Sequence, residues 1–155
     1  STTVKPDKYD STVLYGLEAG KYRLALKTPK DQIINVEYIR DKSKKKAAYK
    51  KSKAINLKSD IDSIYTSTEK AARWYKASVS STKKRKAVTL SKDSVGGGFK
   101  FCVYQKGKRL KTVKVTKNDK VKTVKLPKKK GAYYVKVTKL TSKTTGAYYL
   151  GTYTY

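Results

Sequence analysis

Few residues in this 155-residue chain could do acid–base or metal chemistry. The chain has no histidine, which excludes Ser-His-Asp and Cys-His catalysis and most zinc sites. Asp60 and Asp62 are two positions apart, so they could act as paired carboxylates in glycoside hydrolysis or hold calcium weakly in a loop. Because aspartate is also common in turns, we expect both to be turn residues at a strand end. The sequence therefore predicts no catalytic residue, no metal site and no cofactor.

The single cysteine, Cys102, lies in the apolar run from Phe99 to Tyr104. One thiol can form neither a disulfide within the chain nor a thiolate metal cluster. Because a free cysteine usually packs as a small apolar residue, we expect Cys102 to lie in the core. The glycines at 96–98 lack the Lys-Ser/Thr pair of a phosphate-binding loop, so they predict a flexible connection.

Lysine clusters are the first candidates for a binding site. The net charge is +28, and the 39 basic residues include few arginines, the residue preferred for bidentate contacts to phosphates and bases. A lysine-dominated surface predicts a diffuse field that attracts a polyanion without reading it. The alternative is a solvated face that keeps the protein soluble and guards strand edges. Besides Lys44–Lys46 and Lys50–Lys51, the candidates at predicted turns are Lys83, Lys84, Arg85, Lys86, Lys128, Lys129 and Lys130.

Tyrosines are the second candidates for a binding site, with 14 in the chain. An exposed aromatic ring can stack on a sugar, because a pyranose has an apolar face of similar size. Neighbouring strand residues point to opposite faces, so a Tyr-Tyr pair that buries one ring must expose the other. The alternative is that the rings lie on a sheet beneath lysine stems. We expect Trp74 in the core and predict an aromatic strip of Tyr133, Tyr134, Tyr148, Tyr149, Tyr153 and Tyr155.

The elements that must position these residues are strands. Apolar groups alternate with Lys and Thr, which predicts sheets with one packed and one solvated face. The predicted strands cover 54–57, 61–65, 72–79, 86–90, 99–104, 110–115, 121–126, 132–140 and 147–155, after a hairpin at 21–39 and an exposed Lys-rich loop at 41–53. A short helix or turn over 62–74 is the single weak helical signal. The fold class is therefore all-β: an antiparallel, jelly-roll-like β-sandwich with an N-terminal β-hairpin extension.

Residues 54–155 carry four segments with a family pattern. They are the strand and acidic loop at 55–63, Arg73-Trp74-Tyr75-Lys76, and two Gly-Ala-Tyr-Tyr strand entries at 131–137 and 146–150. In these segments the chain resembles the bacterial pre-peptidase C-terminal domain, a jelly-roll-like β-sandwich related to collagen-binding domains. Arg73 stands where the family usually has Asp, and acidic residues are sparse, so the resemblance implies no calcium site. Residues 1–53 lie outside the resemblance, which divides the chain at 53/54.

The resemblance implies a module of secreted proteins that aids attachment or substrate binding. We therefore expect a non-catalytic binding module that is secreted or lies on the surface of a Gram-positive bacterium. The module would attach its parent protein to a polysaccharide. Two alternatives stay open: an electrostatic binder of a wall polymer, an acidic glycan or nucleic acid, and a structural spacer or protein-docking module. The expected partner is an extracellular polymer, with no membrane insertion and with a monomeric chain.

Overall fold

The computed structural model describes residues 23, 48–57, 64–66, 72–93, 97–142, 144 and 147–155. The N-terminal hairpin at 21–39, Lys44–Lys46, Asp60 and Asp62 lie outside the described residues, apart from Arg23. The described chain contains a short 3-10 helix (Lys51–Lys53) and the strands β1 (Ile55–Asn56), β2 (Ile64–Thr66), β3 (Arg73–Val79), β4 (Lys86–Asp93), β5 (Phe99–Gln105), β6 (Lys108–Val115), β7 (Val121–Lys125), β8 (Gly131–Lys139) and β9 (Ala147–Thr154).

Each of these strands overlaps a segment that alternation predicts, but β4 extends three residues beyond the predicted end at 90, and β6 begins two residues before the predicted start at 110. The weak helical expectation over 62–74 is wrong in the described part, because β2 and the start of β3 occupy it. No helix within the described ranges is long and apolar enough to cross a membrane.

The strands form two sheets. Sheet A has the order β1-β3-β8-β5-β6, and sheet B has the order β2-β9-β4-β7. All pairings are antiparallel except β1 with β3. Between successive strands the chain passes from one sheet to the other at every connection except β5–β6. The prediction of an all-β sandwich is thereby confirmed.

The core lies between the inner faces of the two sheets. Tyr75 of sheet A and Tyr148 of sheet B meet edge to face, with ring centroids 6.4 Å apart and hydroxyl oxygens 2.6 Å apart. Phe99 packs against the same Tyr148 ring at 5.0 Å. Both tyrosines and Phe99 are almost completely buried. An edge-to-face pair with a hydrogen bond between its hydroxyls buries two large rings without leaving their polar ends dry.

Two glycines at the start of β5 are fixed in place. Gly97 has a φ of +77°, which favours glycine, and a Cβ at Gly98 would collide with the carbonyl oxygen of Val115. The buried Thr144 hydroxyl accepts from the Gly98 amide (3.3 Å) and lies 3.1 Å from the Gly98 carbonyl oxygen. The expectation of a flexible connection is therefore wrong at 97–98; Gly96 lies outside the described residues.

The β5–β6 connection is the one tight hairpin among the described strands. Lys106 and Gly107 both have positive φ values, +46° and +80°, as a two-residue type I′ turn requires. This turn matches the right-handed twist of the strands on either side, and it directs Lys106 and Lys108 into solvent at the strand ends.

The β6–β7 turn depends on one carboxylate. Asp119 Oδ2 accepts from the Thr116 amide (2.8 Å) and hydroxyl (2.7 Å), and Oδ1 lies 2.7 Å from Lys122 Nζ. The hydrogen bond from Lys122, followed by those from Thr116, holds the pKa of the Asp119 carboxyl well below its ordinary value of 3.8. These bonds are stronger to the ionised carboxylate than to the protonated acid, so ionisation of Asp119 stabilises the turn.

We expect the D119N variant to be less stable than the unmodified chain near neutral pH. Because the pKa of Asp119 is lower in the folded state than in the unfolded state, its stabilisation is complete above about pH 4 and is lost as the pH falls below that value. The stability difference between the two proteins should therefore shrink from pH 5 towards pH 2, as measured by denaturant unfolding at each pH. A difference independent of pH would contradict this role of the ionised carboxylate.

Candidate functional site

Three connections meet at one end of the sandwich. Val79 at the end of β3 pairs with Gly131 at the start of β8, so the β3–β4 and β7–β8 connections lie side by side. In sheet B, the Leu126 amide after β7 donates to the carbonyl oxygen of Lys86 at the start of β4, at 2.8 Å. This bond joins the same two connections on the other sheet. Gln105 pairs with Tyr133, which brings the β5–β6 turn to the same end. The strand register, rather than distance along the sequence, therefore assembles this end.

Nine cationic side chains lie at this end, which we call the basic end. Four come from the β3–β4 connection, two from the β5–β6 turn and three from the β7–β8 connection. All are exposed except the half-buried Lys86, whose Nζ donates to the Ser78 carbonyl oxygen at 2.8 Å. The nine are Lys83, Lys84, Arg85, Lys86, Lys106, Lys108, Lys128, Lys129 and Lys130.

No acidic residue of the described chain lies at the basic end. Asp93 pairs with Ala147 at the start of β9, and Asp119 lies in the β6–β7 turn; both positions are at the opposite end of the sandwich. Among the described residues, like charges on neighbouring loops therefore add without a nearby countercharge, which raises the local positive potential.

The structure brings together the two basic clusters that the sequence singled out, Lys83–Lys86 and Lys128–Lys130, and adds two lysines. Lys106 and Lys108 belong to the segment Gln105-Lys106-Gly107-Lys108 at the β5–β6 turn, and they are not among the binding candidates that the sequence singled out. The Gln-Lys-Gly-Lys pattern contained the relevant signal, because a two-residue turn necessarily exposes its side chains at the end of the sheet. Lys50 and Lys51 lie instead beside β1, before the first strand.

Tyr133 belongs to the core and not to an exposed aromatic strip. It is completely buried, because it shares the inner face of β8 with Val135 and Val137. Its hydroxyl donates to the Lys129 carbonyl oxygen at 2.9 Å, and burial raises its pKa. Tyr133 therefore holds the β7–β8 connection of the basic end against the core.

The outer face of sheet A carries an aromatic cluster beneath lysine side chains. Trp74 is half-buried there and not in the core, because Tyr75 takes the inward position of β3. Its ring lies 5.5 Å from that of Tyr104, and Lys136 Nζ lies 5.5 Å from the Trp74 ring centroid. Lys51 Nζ lies 4.7 Å from the centroid of Tyr134, the one residue of the predicted strip on this face. Trp74, Tyr104 and Tyr134 are all half-buried, and lysines lie over two of the three rings, so this face is not an open stacking platform.

Cys102 is buried as predicted, but outside the inter-sheet core. Phe101 and Val103 take the inward positions of β5, which leaves Cys102 on the outer face of sheet A. Its Sγ lies 3.4 Å from the Thr112 hydroxyl on the neighbouring strand. Alternation explains this placement, since the residue between two inward side chains must face outward.

The outer face of sheet B carries the most exposed tyrosines of the predicted strip. Tyr148 is buried in the core and is lost from the strip, because it shares its parity along β9 with Leu150. Tyr149 and Tyr153 lie on the outer face, and the Tyr155 ring lies 5.6 Å from that of Tyr153. Tyr153 and Tyr155 have exposed fractions of 37% and 46%. We call Tyr149, Tyr153 and Tyr155 the tyrosine strip.

Metal-ligating side chains do not gather in the part of the chain that the structure describes. Within it there is no group of three or more His, Cys, Asp or Glu side chains that could hold a metal ion. The paired carboxylates considered from the sequence, Asp60 and Asp62, are not among these residues. The arrangement that the described residues present is one of charged and aromatic surface.

No family model matches the chain, and a search of curated proteins finds no match. The resemblance to the pre-peptidase C-terminal domain therefore stays a prediction, as does the division of the chain at 53/54.

Proposed function

We propose that this chain is a non-catalytic binding module that attaches to an anionic polymer through the basic end. The observation that carries the proposal is the convergence of nine cations from three connections, with no acidic residue of the described chain at that end. We rank binding of a polyanion above attachment to a neutral polysaccharide, because the predicted aromatic strip is incomplete. Tyr133 and Tyr148 lie in the core, and Tyr134 lies under Lys51.

The composition of the basic end suits a charged polymer better than a small anion. Eight of its nine cations are lysines, seven of them exposed, and lysines present flexible point charges and not a rigid fork. Such charges do not define a pocket, but they follow a chain of repeated anionic groups and release its counterions. We infer a polymer of repeated phosphate, sulfate or carboxylate groups as the ligand class.

Secretion and a Gram-positive cell surface are further parts of this proposal. They are supported by the resemblance of residues 54–155 to a domain of secreted proteins. A wall polymer or an acidic extracellular glycan would be the corresponding partner.

The proposal predicts binding with a steep dependence on salt. If about five to eight cations contact inorganic polyphosphate or polygalacturonate, the logarithm of the association constant should fall linearly with log[salt], with a slope of roughly −4 to −7. The measurement is isothermal titration or retention on the immobilised polymer over ~0.05–0.5 M salt, with a neutral glucan as control.

Retention of the protein on the neutral glucan at both low and high salt, with no retention on either polyanion, would contradict the proposal. It would favour a module that binds a neutral polysaccharide. No retention on any polymer would also contradict it and would favour a structural spacer or a protein-docking module.

A further inference from the structure

We propose that the anionic polymer is an acidic polysaccharide, which contacts the basic end with its charged groups and the tyrosine strip with its sugar rings. This inference rests on the proposed function and adds the class of the polymer. It follows from the continuity of two surfaces that the sequence places far apart.

The tyrosine strip begins where the basic end stops. Arg85 of the basic end and Tyr155 exchange both backbone hydrogen bonds, at 3.0 and 2.9 Å. Lys125 Nζ lies 5.6 Å from the Tyr155 ring centroid, at the edge strand of the same sheet. A polymer held by the β3–β4 connection can therefore reach the exposed faces of Tyr155 and Tyr153 without leaving the protein surface.

From Tyr153 the outer face of sheet B continues as a path of small and hydroxyl-bearing residues, of which Gly151 is buried, Thr89 is half-buried and Thr123 is exposed. Gly151 lies two residues before Tyr153 on β9 and pairs with Thr89 of β4, which in turn pairs with Thr123 of β7. The next outward residue of β9 is Tyr149, about 13 Å from Tyr153 at ~3.3 Å per residue. Because Gly151 is buried, the exposed part of this face is formed by Tyr153, Tyr155 and Thr123, and a sugar ring would contact the protein there.

The hydroxyl groups on this path match sugar hydroxyls. The Thr89 and Thr123 hydroxyl oxygens are 3.0 Å apart, so one donates to the other. This bond uses one of their two O–H groups, which leaves a donor and lone pairs for a ligand. Sugar hydroxyls can both donate and accept in such positions.

A single-stranded nucleic acid also offers anionic groups and rings, but the surface fits it less well. Arg85 is the one arginine among the nine cations of the basic end, whereas arginine is the side chain that stacks on bases and grips phosphates with two bonds. The threonine hydroxyls between Tyr153 and Tyr149 would face the apolar surface of a base. An acidic glycan satisfies the charges, the rings and the hydroxyls together.

The test compares three polymers at ~0.15 M salt: polygalacturonate, inorganic polyphosphate, which has no rings, and oligo-dT. We expect Y153A/Y155A to weaken binding to polygalacturonate about tenfold and to change binding to polyphosphate by less than about twofold. Y153F/Y155F, which keeps the rings, should bind like the unmodified chain. Y134A, which removes a tyrosine from the outer face of sheet A, is the matched control and should leave both affinities unchanged.

A second measurement uses the unmodified chain and does not depend on how the variants fold. Oligogalacturonate should shift the ring resonances of Tyr153 and Tyr155 in NMR spectra, whereas polyphosphate should not. Unmoved ring resonances, or a loss in Y153A/Y155A that is equal for polygalacturonate and polyphosphate, would overturn the inference.

The remaining outcomes separate this inference from the proposed function. Binding of polyphosphate without binding of polygalacturonate would overturn the inference alone, as would an alanine variant that binds polygalacturonate like the unmodified chain. A larger loss on oligo-dT than on polygalacturonate would overturn it in favour of single-stranded nucleic acid. If the unmodified chain binds none of the three polymers even at low salt, the proposed function itself is wrong.

Discussion

Neutralising four lysines of the basic end, in the variant K83Q/K84Q/K128Q/K129Q, is expected to weaken binding to polyphosphate by about two to three orders of magnitude at ~0.1 M salt. Each cation that contacts the polymer releases roughly 0.7 to 0.9 of a counterion, which at this salt concentration contributes close to one order of magnitude to the association constant. The four side chains are exposed on two neighbouring connections, so their loss removes contacts without disturbing the core. Titrations at several salt concentrations should show a slope that is smaller by about 3.

The matched control for this variant is K111Q/K114Q/K117Q/K120Q. It also removes four positive charges, but from exposed positions on β6 and in the β6–β7 turn, away from the basic end. A site at the basic end predicts a loss of no more than about tenfold for the control, caused by the weaker overall field. Equal losses in the two variants would show that the polymer responds to total charge and has no preferred end.

Replacing Tyr148 by alanine is expected to lower the free energy of unfolding by about 3–5 kcal/mol. The substitution removes a fully buried ring that packs against Phe99 and Tyr75, and it leaves a cavity between the sheets. Its neighbour Tyr149 lies on the outer face of the same strand, so Y149A should cost no more than about 1 kcal/mol. Urea unfolding of both variants measures the difference between two adjacent tyrosines.

A similar cost for the two substitutions would mean that the two faces of β9 are packed to a similar degree. That result would contradict the assignment of Tyr148 to the core, and with it the removal of Tyr148 from the predicted strip.

Strand positions could be predicted from this sequence because apolar residues alternate with Lys and Thr almost throughout. The orientation of each Tyr-Tyr pair could have been predicted as well, since Tyr133 has the same parity as Val135 and Val137, and Tyr148 has the same parity as Leu150. The strip was instead assigned as a whole, although alternation allowed only one tyrosine of each pair to be outside. Trp74 was misassigned for a related reason: its size favoured burial, whereas parity gave the inward position to Tyr75.

The candidate site could be predicted only in part. The turns that carry Lys83–Lys86 and Lys128–Lys130 follow from local composition, but their shared end depends on the pairing of Val79 with Gly131, 52 residues later in the chain (131 − 79). No local pattern states which strands become neighbours. The contact between the basic end and the tyrosine strip depends on the same kind of long-range pairing, between Arg85 and Tyr155.

The position of β9 has a consequence for the order in which the protein can fold. This strand holds residues 147–154, the last strand of the chain, yet it lies inside sheet B between β2 and β4. During synthesis or passage through a membrane pore, β2 cannot be linked to β4 until β9, which pairs with both, has emerged. Sheet A likewise waits for β8, which links β3 to β5. Neither sheet can therefore be completed until β8 and β9 are available, although β5 can pair with β6 and β4 with β7 before then.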